Sequence, residues 1–296
     1  MSRVTRHRLA VLGAAVLFST GGAAIKGSAL SGWQVAGLRS LVAAVALAVL
    51  VPAARRGPEE GRAARRTAAV ALAYAGTVVL FALANKLTTA ANAIFLQSTA
   101  PIYMLVLAPR WLGERITRRD AYVMAAIALG MCLFFLERGA PTRTAPSPWL
   151  GNLLAAASGL AWALTLLGLR WLADAPNADG RGPMRAVLLG NVAAVVLSLS
   201  WMFPLEAGAR DVALLLYLGI FQIGVAYRLL SFGLRRVGAF ETSLLVLVEP
   251  ALNPTWAWLV HDERPGALAL VGGVTILAAA TVKSWLDQRR PLVRAT

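Results

Sequence analysis

The sequence has few of the residue types that most enzymes and metal-binding proteins use for chemistry. It contains one cysteine and two histidines in 296 residues, which leaves no disulfide framework and no CxxC redox pair. His7 and His261 are too far apart in the chain to suggest a metal site. There is no Walker loop, no GxGxxG sequence after a strand and no nucleophile elbow. We therefore expect no cofactor and no metal, and the chemistry that marks an enzyme or an ATP-driven pump is absent.

Charged residues are also scarce, at 15% of the chain against 58% hydrophobic residues, and the mean hydropathy is +0.65. A soluble protein carries about 25% charged residues. Ten apolar runs approach or exceed the length of about 20 residues that a helix needs to cross a bilayer. We name them spans 1 to 10: residues 9–26, 32–52, 68–86, 88–109, 120–137, 149–170, 185–204, 211–233, 240–260 and 266–286. The sequence therefore predicts an all-α polytopic protein, with residues 1–296 forming a single membrane domain.

The net charge of +15 does not indicate a nucleic-acid partner, because the basic residues are distributed by membrane side. By our count, 21 of them flank the spans on the side of the N-terminus and six flank the spans on the other side. Arg39 and Arg228 lie within spans. The positive-inside rule then places both termini in the cytoplasm. We expect a multi-pass protein of the plasma membrane, which in a bacterium is the inner membrane.

The chain contains two related halves. Residues 90–115 align with residues 239–264 with six identities over 26 positions. These identities include a proline and a terminal Glu-Arg pair: Pro101 matches Pro250, and Glu114-Arg115 matches Glu263-Arg264. Each half has five spans, an odd number, so the second half must enter the membrane from the opposite side. We predict an inverted-topology repeat of residues 9–137 and 149–286, an architecture typical of secondary transporters that bind substrate between the repeats.

Several segments in a fixed order carry a family resemblance. They are LGAAVLFSTGGAAIK in span 1, the arginine of QVAGLRSLVAA, the Pro101…LGER segment, AWALTLLGLRW in span 6 and the EP…ER segment of span 9. With these, the chain resembles the drug/metabolite transporter superfamily in its ten-helix form with two EamA-type repeats, and it is similar to the YddG-type amino-acid exporters. One departure is His261-Asp262, where the first half has Leu112-Gly113. The resemblance implies alternating-access movement of small polar metabolites, often amino acids moving outward.

Three charged residues, Arg39, Arg228 and Glu249, lie at least five positions from the ends of their spans, where a charge is costly and by default suggests function. Glu249, near the middle of span 9, is either a proton carrier, a counter-charge for a substrate amine, or a structural carboxyl. Arg39 can bind a substrate carboxylate through its planar fork. The alternatives for Arg39 are that the side chain extends to the outer headgroups or forms a structural bond to helix-end carbonyls. The alternative for Arg228 is that the side chain extends toward the inner surface.

Aromatic and amide side chains inside the spans complete the set of candidates for a cavity. Trp162 and Tyr227 belong to spans that, by the resemblance, line the cavity of this family. The candidate cavity residues are Phe18, Gln97, Tyr103, Trp162, Tyr227 and Glu249. The alternative for each aromatic residue is packing against lipid or a neighbouring helix, and Gln97 is equally able to bind a helix or a substrate.

The function expected from these features is secondary transport. We expect a transporter that moves small polar metabolites, and amino acids in particular, across the plasma membrane through a central cavity, with export favoured. Two alternatives remain, a membrane-embedded enzyme and an integral membrane partner that transports nothing. The expected partners are a small-molecule substrate and the lipid bilayer, and we expect a monomer with a dimer left open.

Overall fold

Helices occupy the positions of all ten predicted spans in the computed structural model. The structure describes residues 3–55, 61–100, 102–103, 107, 118–136, 141–173, 182–233, 237, 245–246 and 248–288. Within these ranges the β-structure is one isolated bridge between Thr142 and Ala145. The prediction of an all-α polytopic membrane protein is confirmed. Pro101, Glu114 and Arg115, which helped to define the repeat, lie outside the described residues.

The described helices coincide with the predicted spans, although Ala90–Gln97 covers only the first part of span 4 and Val248–His261 begins eight residues into span 9. Spans 1 to 5 contain Arg3–Ser19 with Gly21–Gly27, Gly32–Leu50, Gly61–Leu87, Ala90–Gln97 and Arg118–Leu136. Spans 6 to 10 contain Pro148–Ala173, Gly182–Ser198, the stretch Ala209–Gly233, Val248–His261 and Ala267–Gln288. Spans 1, 2, 3, 6, 7 and 8 are each long and apolar enough to cross a membrane.

Local sequence sets where several of these helices begin. Ser31 starts span 2 with a capping box, in which its hydroxyl accepts from the Gln34 backbone at 3.3 Å and its own backbone donates to the Gln34 side chain at 2.9 Å. Thr89 caps span 4 by accepting from the backbone of Asn92 at 3.1 Å. These contacts satisfy backbone N–H groups that the first helical turn leaves without partners.

The two halves pack on each other with a two-fold pattern. Span 3 packs on spans 6 and 7, and the equivalent span 8 of the second half packs on spans 1 and 2. Span 4 packs on span 6, as span 9 packs on span 1. Equivalent spans meet each other in three pairs, 2 with 7, 4 with 9, and 5 with 10. Exchanging the halves leaves this set of contacts unchanged, which is the packing expected of a pseudo-two-fold repeat.

Two glycines allow the close approach of equivalent span pairs. A Cβ on Gly190 of span 7 would lie 2.7 Å from the carbonyl oxygen of Ala71 and 2.6 Å from the Tyr74 ring, both in span 3. A Cβ on Gly219 of span 8 would lie 2.8 Å from the carbonyl oxygen of Arg39 in span 2. Small residues at helix interfaces let membrane helices approach in this way.

We predict that Gly190→Ala destabilises the protein, because the added methyl group collides with the backbone of span 3. Overpacking of this kind costs about 1–3 kcal/mol, which a thermal melt in detergent detects as a lower melting temperature. Gly76→Ala is the matched control, since its Cβ would lie 3.5 Å from the Ala161 Cβ. Equal melting temperatures for the two variants would contradict the close packing of spans 3 and 7.

Candidate functional site

A pocket of about 430 Å³ lies between the two halves. It is lined by Phe18, Arg39, Thr77, Val78, Phe81, Gln97, Trp162, Gln222, Ile223, Tyr227 and Glu249. Spans 1 to 4 of the first half and spans 6, 8 and 9 of the second half contribute these side chains. This volume includes open solvent, so the enclosed part of the pocket is much smaller.

Arg39 supplies the positive charge of this pocket. Only 1% of its surface is exposed, which makes it the largest fully buried side chain in the described part of the chain. Its Nη2 donates to the backbone carbonyl of Val78 at 2.6 Å. Its Nε has no hydrogen-bond partner among the described residues. A guanidinium carries five N–H donors, so this one retains donors for an additional acceptor.

Glu249 supplies the negative charge of the same pocket. It lies in the first turn of the helix Val248–His261, which belongs to the second half. Among the described residues, no hydrogen bond and no ion pair is formed with its carboxylate. A cation from the first half and an anion from the second half therefore line one pocket without being paired to each other.

Aromatic rings form one wall of the pocket around Tyr227. Its ring meets Phe18 edge to face with centroids 5.0 Å apart, Tyr74 at 5.2 Å and Trp162 at 6.5 Å. Such rings offer apolar surface to a ligand, and their faces also attract ammonium groups. The wall therefore suits a ligand that combines an amine with an apolar part.

Span 8 changes its helical geometry where it reaches the pocket. Ala209–Tyr217 and Ala226–Gly233 are α-helical, whereas Leu218–Val225 between them is a π-helix. The π-helix contains Gln222 and Ile223, two of the lining residues. Insertions of π-helix are frequent at functional sites, because the wider turn redirects side chains.

A buried ion pair joins the halves at one end of the bundle. Lys26 Nζ lies 3.0 Å from Glu263 Oε2, and the two side chains are 2% and 5% exposed. The same ammonium donates to the carbonyl oxygens of Thr88 at 2.8 Å and Thr144 at 2.6 Å. The other Glu263 oxygen accepts from the backbone N–H of Ala90. We call this end of the bundle the Lys26 end.

Further polar contacts secure the Lys26 end. Asp211, at the start of span 8, accepts from the Ser28 hydroxyl at 2.7 Å and from the backbone of Ala29 at 2.8 Å. Lys86, at the end of span 3, donates to the carbonyl oxygen of Ser28 at 2.6 Å. The turn between spans 1 and 2 is thus tied to both halves at the Lys26 end.

Comparison with known proteins identifies the family. The model of the EamA-like transporter family matches residues 7–136 and again residues 149–285. The chain belongs to the EamA-like transporter family. The same family model matches each half once, in agreement with the two-fold packing of the spans.

Two curated relatives of this transporter are the pseudopaline exporter CntI proteins of Pseudomonas aeruginosa strains UCBPP-PA14 and PAO1. Each is 27% identical over 200 residues, which is 66% of this chain and 66% of the relative. A solved crystal structure superposes with a TM-score of 0.65 over 97% of this chain and 99% of the other, at 18% identity. At that identity the structural match supports the fold.

Most of the residues singled out from the transporter's sequence meet in the pocket. Those that line it are Phe18, Arg39, Gln97, Trp162, Tyr227 and Glu249. Two others do not line it. The Tyr103 hydroxyl donates to the carbonyl oxygen of Ala156 at 3.2 Å, a contact between spans 4 and 6. Arg228 is exposed and donates to the carbonyl oxygen of Leu50 near the end of span 2.

The sequence did not reveal every important side chain. Gln222 and Phe81 line the pocket but stand in ordinary apolar runs, and the π-helix that positions Gln222 leaves no recognisable sequence signal. Lys26 was placed at the edge of span 1, and its partner is 237 positions away in the chain. Lys26 follows Phe18 by eight positions, as Arg170 follows Trp162 in the second half, and this shared spacing is the signal in the sequence that marks Lys26.

We predict that Glu263→Gln strongly destabilises the transporter, because it leaves the Lys26 ammonium buried without its counter-charge. Breaking one side of a buried pair typically costs about 3–5 kcal/mol. The double variant Lys26→Met/Glu263→Gln should recover much of the loss, which a double-mutant cycle of melting temperatures measures.

The matched control is the exposed ion pair formed by the two neighbours of Glu263 in the chain. Asp262 Oδ1 lies 3.6 Å from Arg264 Nε, and the two side chains are 82% and 77% exposed. Asp262→Asn should leave the melting temperature unchanged, since exposed pairs contribute little. If the Glu263 and Asp262 variants melt alike, the buried pair does not hold this end together.

Proposed function

We propose that this EamA-like transporter exports small zwitterionic metabolites of the amino-acid type by alternating access through the central pocket. The observation that carries the proposal is the pair of opposite charges in one pocket. Arg39 matches a carboxylate through charge-assisted hydrogen bonds, and Glu249 matches an ammonium group. The aromatic wall around Tyr227 accommodates the apolar side chain of such a substrate. The proposed binding residues are the six sequence candidates that line the pocket: Phe18, Arg39, Gln97, Trp162, Tyr227 and Glu249.

The inverted repeat supports alternating access. In such folds the two halves move against each other around a site between them, so that one end opens as the other closes. The ion pair of Lys26 with Glu263 is a closing contact that joins the halves at one end. Its separation is therefore required for release at the Lys26 end.

The Lys26 end is proposed to face the outside. In the sequence, 21 basic residues flank the spans on the side of the N-terminus and six flank them on the side of Lys26, which favours cytoplasmic termini in the inner membrane. The name of the two curated relatives describes export of pseudopaline by those proteins. That name supports the outward direction for this chain.

The proposed orientation predicts which positions a membrane-impermeant thiol reagent reaches in whole cells. In a Cys132→Ala background, Arg143→Cys should be labelled from outside, since Arg143 is exposed on the predicted outer side. Arg62→Cys, exposed on the predicted inner side, should be labelled after permeabilisation only. The reverse pattern would place the termini outside.

Ligand binding to purified protein tests the charge pair directly. L-Leucine carries both charged groups, 3-methylbutylamine lacks the carboxylate and 4-methylpentanoate lacks the amine. Glu249→Gln should weaken binding of leucine and the amine about tenfold or more but leave the carboxylate ligand unaffected. Arg39→Lys, which keeps the charge but loses the planar fork, should weaken leucine and 4-methylpentanoate. The expected loss is that of a hydrogen bond to a charged group, about 1.5–3 kcal/mol.

The ligand-dependent rise in melting temperature gives these affinities without a flux measurement. Leucine counterflow in proteoliposomes then tests transport, and it separates a transporter from a membrane enzyme or a non-transporting partner. If both variants affect all three ligands equally, Arg39 and Glu249 do not hold separate ends of the substrate. If the wild-type protein neither binds nor moves leucine, the proposed substrate class is wrong.

A role of Glu249 in proton coupling makes a different prediction. A coupling carboxylate would make the Glu249→Gln variant lose stimulation by an imposed pH gradient while it still exchanges leucine. We favour a facilitative transporter in which Glu249 shapes the site, since the other acidic residues of the spans lie at or next to span ends and offer no second deep carboxylate for a proton relay.

A further inference from the structure

Three buried side-chain amides lie beside the pocket on the side of the Lys26 end. Asn85 and Asn253 are fully buried, and Gln222 is 6% exposed. Both polar atoms of Asn253, the Oδ1 of Asn85 and the Oε1 of Gln222 have no hydrogen-bond partner among the described residues. Burying an amide without a partner is costly, so these groups require an explanation other than packing. We call these three residues the amide cluster.

Helical spacing places Asn85 and Asn253 one turn beyond the pocket, whereas Gln222 lines the pocket itself. Asn85 follows Phe81 by four residues in span 3, and Asn253 follows Glu249 by four residues in span 9. Four residues of α-helix advance about 6 Å along one face. Spans 3 and 9 both run toward the Lys26 end, where they end beside Thr88 and Glu263. The cluster therefore extends from the edge of the pocket, at Gln222, toward the ion pair of Lys26 with Glu263.

The three amides converge on one glycine pair in span 1. A Cβ on Gly22 would lie 2.6 Å from Asn253 Oδ1 and 3.1 Å from Asn85 Oδ1, while one on Gly21 would lie 2.8 Å from Gln222 Nε2. The first helix of span 1 ends at Ser19, directly before this pair. Four spans from both halves thus bring polar side chains and bare backbone together at one place.

The amide cluster has no counterpart in the other half of the repeat. Tyr74-Ala75-Gly76 in span 3 matches Tyr217-Leu218-Gly219 in span 8, which makes Arg228 the equivalent of Asn85. The alignment of Pro101 with Pro250 makes Met104 the equivalent of Asn253. The shared fold therefore does not require amides at these positions. They are specific to the path between the pocket and the Lys26 end.

We propose that Asn85, Asn253 and Gln222 form an exit subsite that holds the charged head of the zwitterionic substrate after it leaves the pocket. The proposal rests on the proposed function. Side-chain amides offer both donors and acceptors, so this subsite satisfies a carboxylate and an ammonium group together. It is uncharged, and it therefore holds the substrate less tightly than Arg39 and Glu249 do. A site on a transport path must be weak enough to release its ligand.

Comparison of binding with flux tests this subsite. In Asn253→Leu, which keeps the side-chain size but removes the amide, the affinity for L-leucine from the melting shift should stay within about twofold of wild type. Leucine counterflow in proteoliposomes should fall about tenfold or more, the effect of losing at least one hydrogen bond to a charged group. Asn85→Leu should behave in the same way and serves as the second variant if Asn253→Leu folds poorly.

Asn92→Leu is the matched control, because Asn92 is a buried amide whose Nδ2 already donates to Asn152 Oδ1 at 3.1 Å. It should lower the melting temperature but keep counterflow per folded molecule. Unchanged counterflow in both Asn253→Leu and Asn85→Leu would show that these amides only fill space and would reject the exit subsite. A tenfold loss of leucine affinity would assign them to the central pocket instead. A requirement for sodium that disappears in the variants would make the cluster a cation site, and absence of wild-type counterflow would reject the proposed function itself.

Discussion

The ion pair of Lys26 with Glu263 is the interaction on which the closed end of this bundle depends. An ammonium and a carboxylate that are removed from water must be paired and hydrogen-bonded, because either charge alone is strongly destabilising. Lys26 meets this requirement with two backbone carbonyls, and Glu263 meets it with a backbone N–H at the start of span 4. The pair therefore draws spans 1, 4 and 9 and the loop before span 6 together. The pocket and the amide cluster lie beneath this closure.

The pocket differs from the Lys26 end because its buried charges are not paired with each other. In a membrane, polar side chains are placed in the protein interior, and most of them are satisfied there by other helices. Among the described residues, Arg39 is only partly hydrogen-bonded and Glu249 has no hydrogen-bond or ion-pair partner, and the two come from different halves. The pseudo-two-fold fold makes two similar scaffolds, but the charges on them are not symmetric. A ligand with two opposite charges therefore has one preferred orientation between the halves.

Hydropathy and the internal repeat were sufficient to predict the all-α membrane fold. Mid-span position was a good guide to the pocket, since Phe18, Trp162 and Glu249 do line it. It failed for Tyr103 because depth in the membrane does not specify which face of a helix a residue occupies. Lys26 and Glu263 could not be paired from sequence, since their contact depends on how distant spans pack. The amide cluster was missed for the same reason, as its members come from three separate spans.

Controlled closure of the Lys26 end tests the central claim most directly. In a Cys132→Ala background, Lys26→Cys and Glu263→Cys can be joined by a short bifunctional methanethiosulfonate. The account predicts that leucine counterflow stops when the cross-link forms and returns when a reductant breaks it, because the two halves must separate at this end. Full counterflow in the cross-linked protein would show that substrate leaves by another route, and would contradict alternating access through this closure.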